Sequence, residues 1–124
     1  MTFRADAEQT GTAAVLRMAG DLDGTADTAL LAAHATAVAG DPRTLLLDFS
    51  DVDYINSSGI ALIVTLLTEA RDTGRAVRAA GLSRHYRHIF EITRLSDYLT
   101  FEDDANARPT DDAPAGATGG MTRG

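Results

Sequence analysis

The chain has no cysteine. Disulfides, thiolate metal sites and thiol nucleophiles are thereby excluded, and the absence agrees with a reducing compartment. Positive charge is scarce: 11 Lys and Arg stand against 18 Asp and Glu, a formal net charge of −7. Such a chain is repelled by phosphate backbones and anionic lipid, which argues against a direct role on nucleic acid or on a membrane surface. Long hydrophobic runs are missing too. The longest nearly apolar stretch, Ile60 to Leu67, is far short of a membrane span, and Met1 to Glu8 lacks the basic start and apolar run of a signal peptide. The expectation is a soluble, cytoplasmic protein. Catalytic signatures are absent as well. Neither Ser57 nor Ser58 has the two flanking glycines of a nucleophile elbow, and no Gly-Lys-Ser/Thr of a phosphate-binding loop occurs. Asp48, Asp51 and Asp53 read as loop charges and caps at a strand end. No enzymatic activity and no cofactor are expected.

What is present fits one domain: 124 residues with 44% hydrophobic content can bury a core without staples. Thr2 to Glu8 is weakly strand-like, Ala13 to Ala19 alternates better, and Gln9-Thr10-Gly11-Thr12 between them reads as a hairpin turn. Gly20-Asp21-Leu22-Asp23-Gly24 reads as a loop. A helix follows from Thr25 to about Ala39, with Ala26, Leu30, Ala33 and Ala37 on one face, capped by Asp23 or Thr25 and stopped by Gly40-Asp41-Pro42. Thr44 to Phe49 is a short continuous apolar run, the pattern of a strand buried on both faces. A second helix spans about Ser57 to Asp72, ended by Gly74. Arg75 to Ala80 is a strand, and a third helix runs from Ser83 to about Thr93 with Tyr86, Ile89, Phe90 and Thr93 on one face. Leu95 to Glu102 closes the core as a last strand or a turn of helix. The order predicts an α/β domain: a mixed central sheet of four to five strands flanked by three to four helices. The domain is expected over residues 1–102. Residues 103–124, rich in Ala, Gly, Pro and Asp and without apolar periodicity, read as a disordered acidic tail.

The segment Asp48-Phe49-Ser50-Asp51-Val52-Asp53-Tyr54-Ile55-Asn56-Ser57-Ser58-Gly59-Ile60 joins the apolar strand to the second helix. Two adjacent hydroxyls followed by glycine stand where that helix begins. Its first N–H groups lack partners there and its dipole is positive, so a phosphate on such a hydroxyl is tolerated. At about 100° per residue, Ile60, Ile63, Val64 and Leu67 form the stripe expected to face the sheet. Ser58 projects opposite it, beside Leu62 at i+4. Ser57 lies nearer the core side and is the better cap candidate. Leu62, apolar and opposite the core stripe, is a candidate partner contact, although lone exposed leucines are common.

Taken together, Gly20-Asp21-Leu22-Asp23, Leu46-Leu47-Asp48-Phe49-Ser50, Asp53-Tyr54-Ile55-Asn56-Ser57-Ser58-Gly59-Ile60, and the later Gly81-Leu82-Ser83, Ile89-Phe90-Glu91 and Leu95 resemble the STAS family of anti-sigma factor antagonists over about residues 3 to 102. In that family the hydroxyl just before the motif glycine accepts phosphate, which the resemblance assigns to Ser58. The implied partners are an anti-sigma factor serine kinase, which uses ATP and magnesium, and a serine phosphatase. The unphosphorylated antagonist binds the kinase and frees the sigma factor, and phosphorylation breaks that complex. The resemblance further implies a partner-binding face comprising Asp21, Asp23, Asn56, Ser57, Gly59 and Leu62 around Ser58, with Asp21 and Asp23 on a loop beside it. One departure is visible. The motif aspartate is Asn56 here, which keeps a hydrogen-bonding side chain but removes a negative charge beside the acceptor.

Two other readings stay open: a STAS module that is never phosphorylated and serves as a scaffold or accessory subunit, and a small-anion or nucleotide binder using the helix start at Ser57 to Gly59. His85 and His88, three apart on the third helix, form one edge of a metal site at most and read as solvated residues. The basic run Arg84-His85-Tyr86-Arg87-His88 reads as a solvated face or a contact for an acidic partner. No metal is expected, and the chain is expected to be a monomer.

Overall fold

The computed structural model describes residues 2–102; the tail expected over residues 103–124 lies outside the described residues. Five strands form one sheet in sequential order: β1 (Arg4–Thr10), β2 (Ala13–Leu22), β3 (Thr44–Ile55), β4 (Ala76–Ala80) and β5 (Thr100–Glu102). β1 pairs antiparallel with β2, and β2, β3, β4 and β5 are mutually parallel. The helices α1 (Asp27–Val38), α2 (Ser57–Thr73) and α3 (Arg84–Ile92) lie in the crossovers. Short 3-10 turns, Gly24–Ala26 and Leu95–Asp97, precede α1 and β5.

Parallel strands in sequential order joined by right-handed crossovers place every helix on the same face of the sheet. Burial agrees: Ala14, Leu16, Met18 and Leu22 of β2, Leu45, Leu47 and Phe49 of β3, and Val77 and Ala79 of β4 are buried, while their alternates are not. The apolar run of β3 suggests a strand covered on both faces. Instead Leu46 belongs to the open face, half-exposed between its cross-strand neighbours Val15 and Arg78. Charges surround it there: Asp6, Arg17 and Asp48 stand opposite one another across β1, β2 and β3, and Arg17 pairs with Glu8 at 2.6 Å.

The helix face of the sheet holds the core. α1 contributes Leu30, Ala33 and Ala37, the face its periodicity predicts. α3 contributes Phe90, whose ring meets Phe49 edge-on at 5.8 Å. α2 ends at Gly74, whose φ of 74° gives the left-handed turn that returns the chain to β4.

α1 also buries His34, 5% exposed, with Nδ1 3.5 Å from Glu69 of α2. Its Nε2 has no partner among the described residues. Burial lowers its pKa below the ordinary histidine value, outweighing the attraction of Glu69. The folded state therefore binds the proton less readily than the unfolded chain. This stabilising contribution is complete above the unfolded pKa of about 6.5 and is lost as pH falls through the folded value. Urea midpoints measured from pH 7.5 down to about pH 5 should fall more steeply for the native chain than for His34→Leu. Parallel slopes would remove His34 from the acid response.

Candidate functional site

The segment after Asp48 is strand rather than loop. β3 runs on to Ile55, and Gly20 to Leu22, which read as loop in the sequence, are the end of β2. The two pair as a ribbon (Gly20 with Val52, Asp21 with Tyr54, Leu22 with Ile55) with register shifts between Arg17 and Ala19 and between Gly20 and Asp21. Asp48 does bond to the following chain, its Oδ1 accepting from the Ser50 N–H at 2.9 Å, but it does not end the strand.

This ribbon carries the first and third sequence blocks to one place. The Asn56 N–H donates to the Leu22 carbonyl at 3.2 Å. Asn56, not Ser57, caps α2: its Oδ1 accepts from the Gly59 N–H at 3.0 Å, and its carbonyl accepts from the Ile60 N–H at 2.9 Å. The reason is backbone conformation. Asn56 is extended, with φ −107° and ψ −176°, while Ser57 is already helical. Ser57 is exposed rather than turned toward the core, and Ser58, in the first turn, is exposed as well. Gly59 is buried against the end of β2. A Cβ built on it would lie 1.9 Å from the Leu22 carbonyl oxygen and 2.7 Å from its carbon. Absence of a side chain at this position is what lets the helix start against the strand.

The inner face of α2 is Gly59, Ile63, Leu66, Leu67 and Ala70. Val64, assigned to the core stripe by periodicity, is 39% exposed. Leu62, expected on the outer face, is half-buried and packs against the core cluster. Asp21 is half-exposed in β2 rather than on a loop. Asp23 follows the strand and caps the 3-10 turn, accepting from the Thr25 N–H at 2.9 Å and the Thr25 hydroxyl at 2.6 Å. Those two bonds, the hydroxyl first, hold its carboxyl below the usual carboxylate range. The same turn brings Gly24 alongside Ser58: a Cβ there would be 3.5 Å from the Ser58 Cβ and 3.8 Å from its Oγ.

Sequence reasoning missed two parts of this arrangement. Gly24 borders Ser58, and no pattern marks it. Periodicity places Tyr86 of α3 on the core face, yet its hydroxyl accepts from the Ile55 N–H at 3.0 Å, fixing the strand end one residue before the cap. Tyr54, 50% exposed, adds an aromatic surface beside the same strand end.

The cap gives a direct test. Asn56→Ala should cost about 1 kcal/mol of stability, while Asn56→Asp, which keeps an acceptor oxygen, should stay within a few tenths. Urea unfolding of the three proteins measures this; equal midpoints for the native chain and Asn56→Ala would mean the cap does not hold the helix start.

Among the described residues, no group of three His, Asp or Glu is placed to hold a metal ion, and no helix is long and apolar enough to cross a membrane. His85 and His88 are exposed on α3.

The site thus sits on a sequential five-stranded sheet covered on one face, with paired hydroxyls at the mouth of α2. The family model described as Mlab, STAS domain matches residues 5–100, and the chain belongs to this family. Its fold is that of SpoIIAA, the Bacillus anti-sigma factor antagonist, in its unphosphorylated form: 22% identity over 84% of this chain and 90% of that one, with a TM-score of 0.65. An anti-sigma factor antagonist from Mycobacterium paratuberculosis is similar at 23% identity, covering 85% and 89%, with a TM-score of 0.67. A sulfate transporter family protein from Wolinella succinogenes shares the fold at 14% identity, covering 77% and 80%, with a TM-score of 0.62. No curated protein sequence matches the chain.

Proposed function

We propose that this protein is an anti-sigma factor antagonist controlled by phosphorylation of Ser58. Unphosphorylated, it binds an anti-sigma factor serine kinase through the rim around Ser58, with Asp21, Asp23, Asn56 and Ser57 as neighbours, and the sigma factor is released. The kinase transfers the terminal phosphoryl group of ATP to the Ser58 Oγ. A new P–O bond forms, ADP leaves, and the hydroxyl proton passes to a base of the kinase. A serine phosphatase reverses the step. The protein contributes no catalysis of its own and acts in the cytoplasm as a monomer.

The observation that carries this reading is the exposed Ser58 in the first turn of α2, a turn held by the Asn56 cap and by the approach of Gly59 to Leu22. Phosphate there meets the positive end of a helix dipole, so the domain need not unfold to accept it. Bacillus SpoIIAA, which shares the fold, is also solved in a phosphorylated form. Asn56 preserves the cap and takes one negative charge away from the acceptor. Gly59 and Leu62 act from behind the rim, one by letting the helix approach the strand and the other by packing against the core.

Mass spectrometry after incubation with the cognate anti-sigma kinase, ATP and magnesium tests the reading. Phosphate on Ser58, absent from Ser58→Ala, supports it; phosphate on another residue, or none, overturns it. Asn56 and the likeness to a transporter-family domain favour a second reading, an accessory STAS module never phosphorylated. That module would hold its partner with or without ATP.

A further inference from the structure

The chain is acidic overall, yet α3 gathers arginine and histidine on its outer face. Arg84, His85 and His88 are exposed there, with Arg87 half-buried beside them, and they border a groove of about 920 Å³ that also takes in Leu82 and Glu91. Arg84, His88 and Ile92 succeed one another at i, i+4 and i+8, and Ile92 is 65% exposed. The face thus combines positive charge with an apolar anchor. Glu91 is its acid, 4.0 Å from His88.

The described chain ends against this face. Glu102 pairs in register with Ala80, and Ala80 leads through Gly81–Ser83 into the first turn of α3. The Arg87 guanidinium lies 4.4 Å from the centroid of the Phe101 ring. β5, the last described strand, is therefore already in contact with α3. Segment 103–112 is acidic: it carries Asp103, Asp104, Asp111 and Asp112 against the single cation Arg108.

We propose that the acidic segment 103–112 docks on the basic outer face of α3. Charge favours it twice, through the Arg84 and Arg87 side chains and through the positive N-terminal end of the helix. Length permits it. The seven steps from Asp104 to Asp111 span about 15 Å as a flexible chain, ample for the roughly 5 Å from Arg84 to Arg87 along the helix. Tethering helps further, since a short linker holds its end at an effective concentration in the millimolar range. The occupant of this surface is then the protein's own tail, and an external acidic partner would have to displace it. The inference does not depend on phosphorylation of Ser58.

Because the chain lacks cysteine, one introduced thiol is a unique labelling point. A spin label on full-length Thr110→Cys should broaden the backbone amide signals of residues 84–92 several-fold more than those of β1. The effect should fall several-fold at about 0.5 M salt, where the screening length is about 4 Å. It should fall likewise when Asp103, Asp104, Asp111 and Asp112 are changed to Asn, and in Arg84→Glu. Broadening that is absent, or equal on α3 and β1, overturns the proposal. So does broadening insensitive to salt and to the aspartate changes. A mixture of isotope-labelled native chain with spin-labelled, isotope-free chain separates the remaining occupant: broadening of α3 in that mixture assigns the surface to a second copy and overturns docking within one chain.

Discussion

Gly59→Ala is expected to cost at least about 3 kcal/mol, the upper part of the range for overpacking. The added methyl would stand 1.9 Å from the Leu22 carbonyl oxygen and 3.0 Å from the Leu22 Cγ, so the helix start must move off the strand. The better helix propensity of alanine returns at most about 1 kcal/mol, which does not offset a collision with backbone. For a domain near 100 residues the expected fall in melting temperature is about 12 °C or more, at about 4 °C per kcal/mol. Gly74→Ala is the natural comparison. It meets nothing within 4 Å, and only its φ of 74° is strained, for about 1–2 kcal/mol. Thermal unfolding of both variants ranks the two causes. A Gly59→Ala protein melting within a few degrees of the native one would mean that the contact with Leu22 relaxes freely.

The second large effect lies in binding. Ser58→Asp and the Ser58 phosphoprotein should bind the anti-sigma kinase at least 100-fold more weakly than the unphosphorylated chain. Ser58→Ala should bind within a few-fold of it. A phosphate carries about −1.5 to −2 charges at neutral pH, and closing an interface over it costs several kcal/mol. At about 1.4 kcal/mol per tenfold, 100-fold is a modest demand on that penalty. Because Ser58 is exposed, its substitutions should leave stability within about 0.5 kcal/mol, so a change in affinity is not a change in folding. Calorimetric titration of the three proteins against the kinase decides; equal affinities would end the exclusion mechanism.

Much of this architecture is written locally in the sequence. The inner face of α1 follows from Ala26, Leu30, Ala33 and Ala37 alone, and the hairpin from an alternating strand after Gln9-Thr10-Gly11-Thr12. Three features escape such reading, each for a physical reason. Ser50 to Asp53 is polar enough to read as loop, but it pairs with β2 in a two-stranded ribbon where both faces tolerate polar residues. The covered face of the sheet is single, and Leu46 on the other face is indistinguishable in sequence from its buried neighbours Leu45 and Leu47. The inner face of α2 is set by a glycine, which hydropathy periodicity does not register, so periodicity draws Val64 into the core stripe in place of Leu66. The cap shifts by one residue because Asn56 and Ser57 have similar cap preferences, and only the tertiary bond from Asn56 to Leu22 separates them.

The strand register also decides how the molecule can be handled. Arg4 lies beside Ala19, and Glu102 beside Ala80, so both ends of the described chain leave the sheet on the side where α2 and α3 begin. An affinity tag or fluorescent fusion joined directly at Thr2 or at Glu102 would crowd the very surface under study. The hairpin tip at Gly11, exposed and with open space around it, sits at the far edge. A reporter grafted there would leave the recognition side unobstructed for surface immobilisation or single-molecule observation.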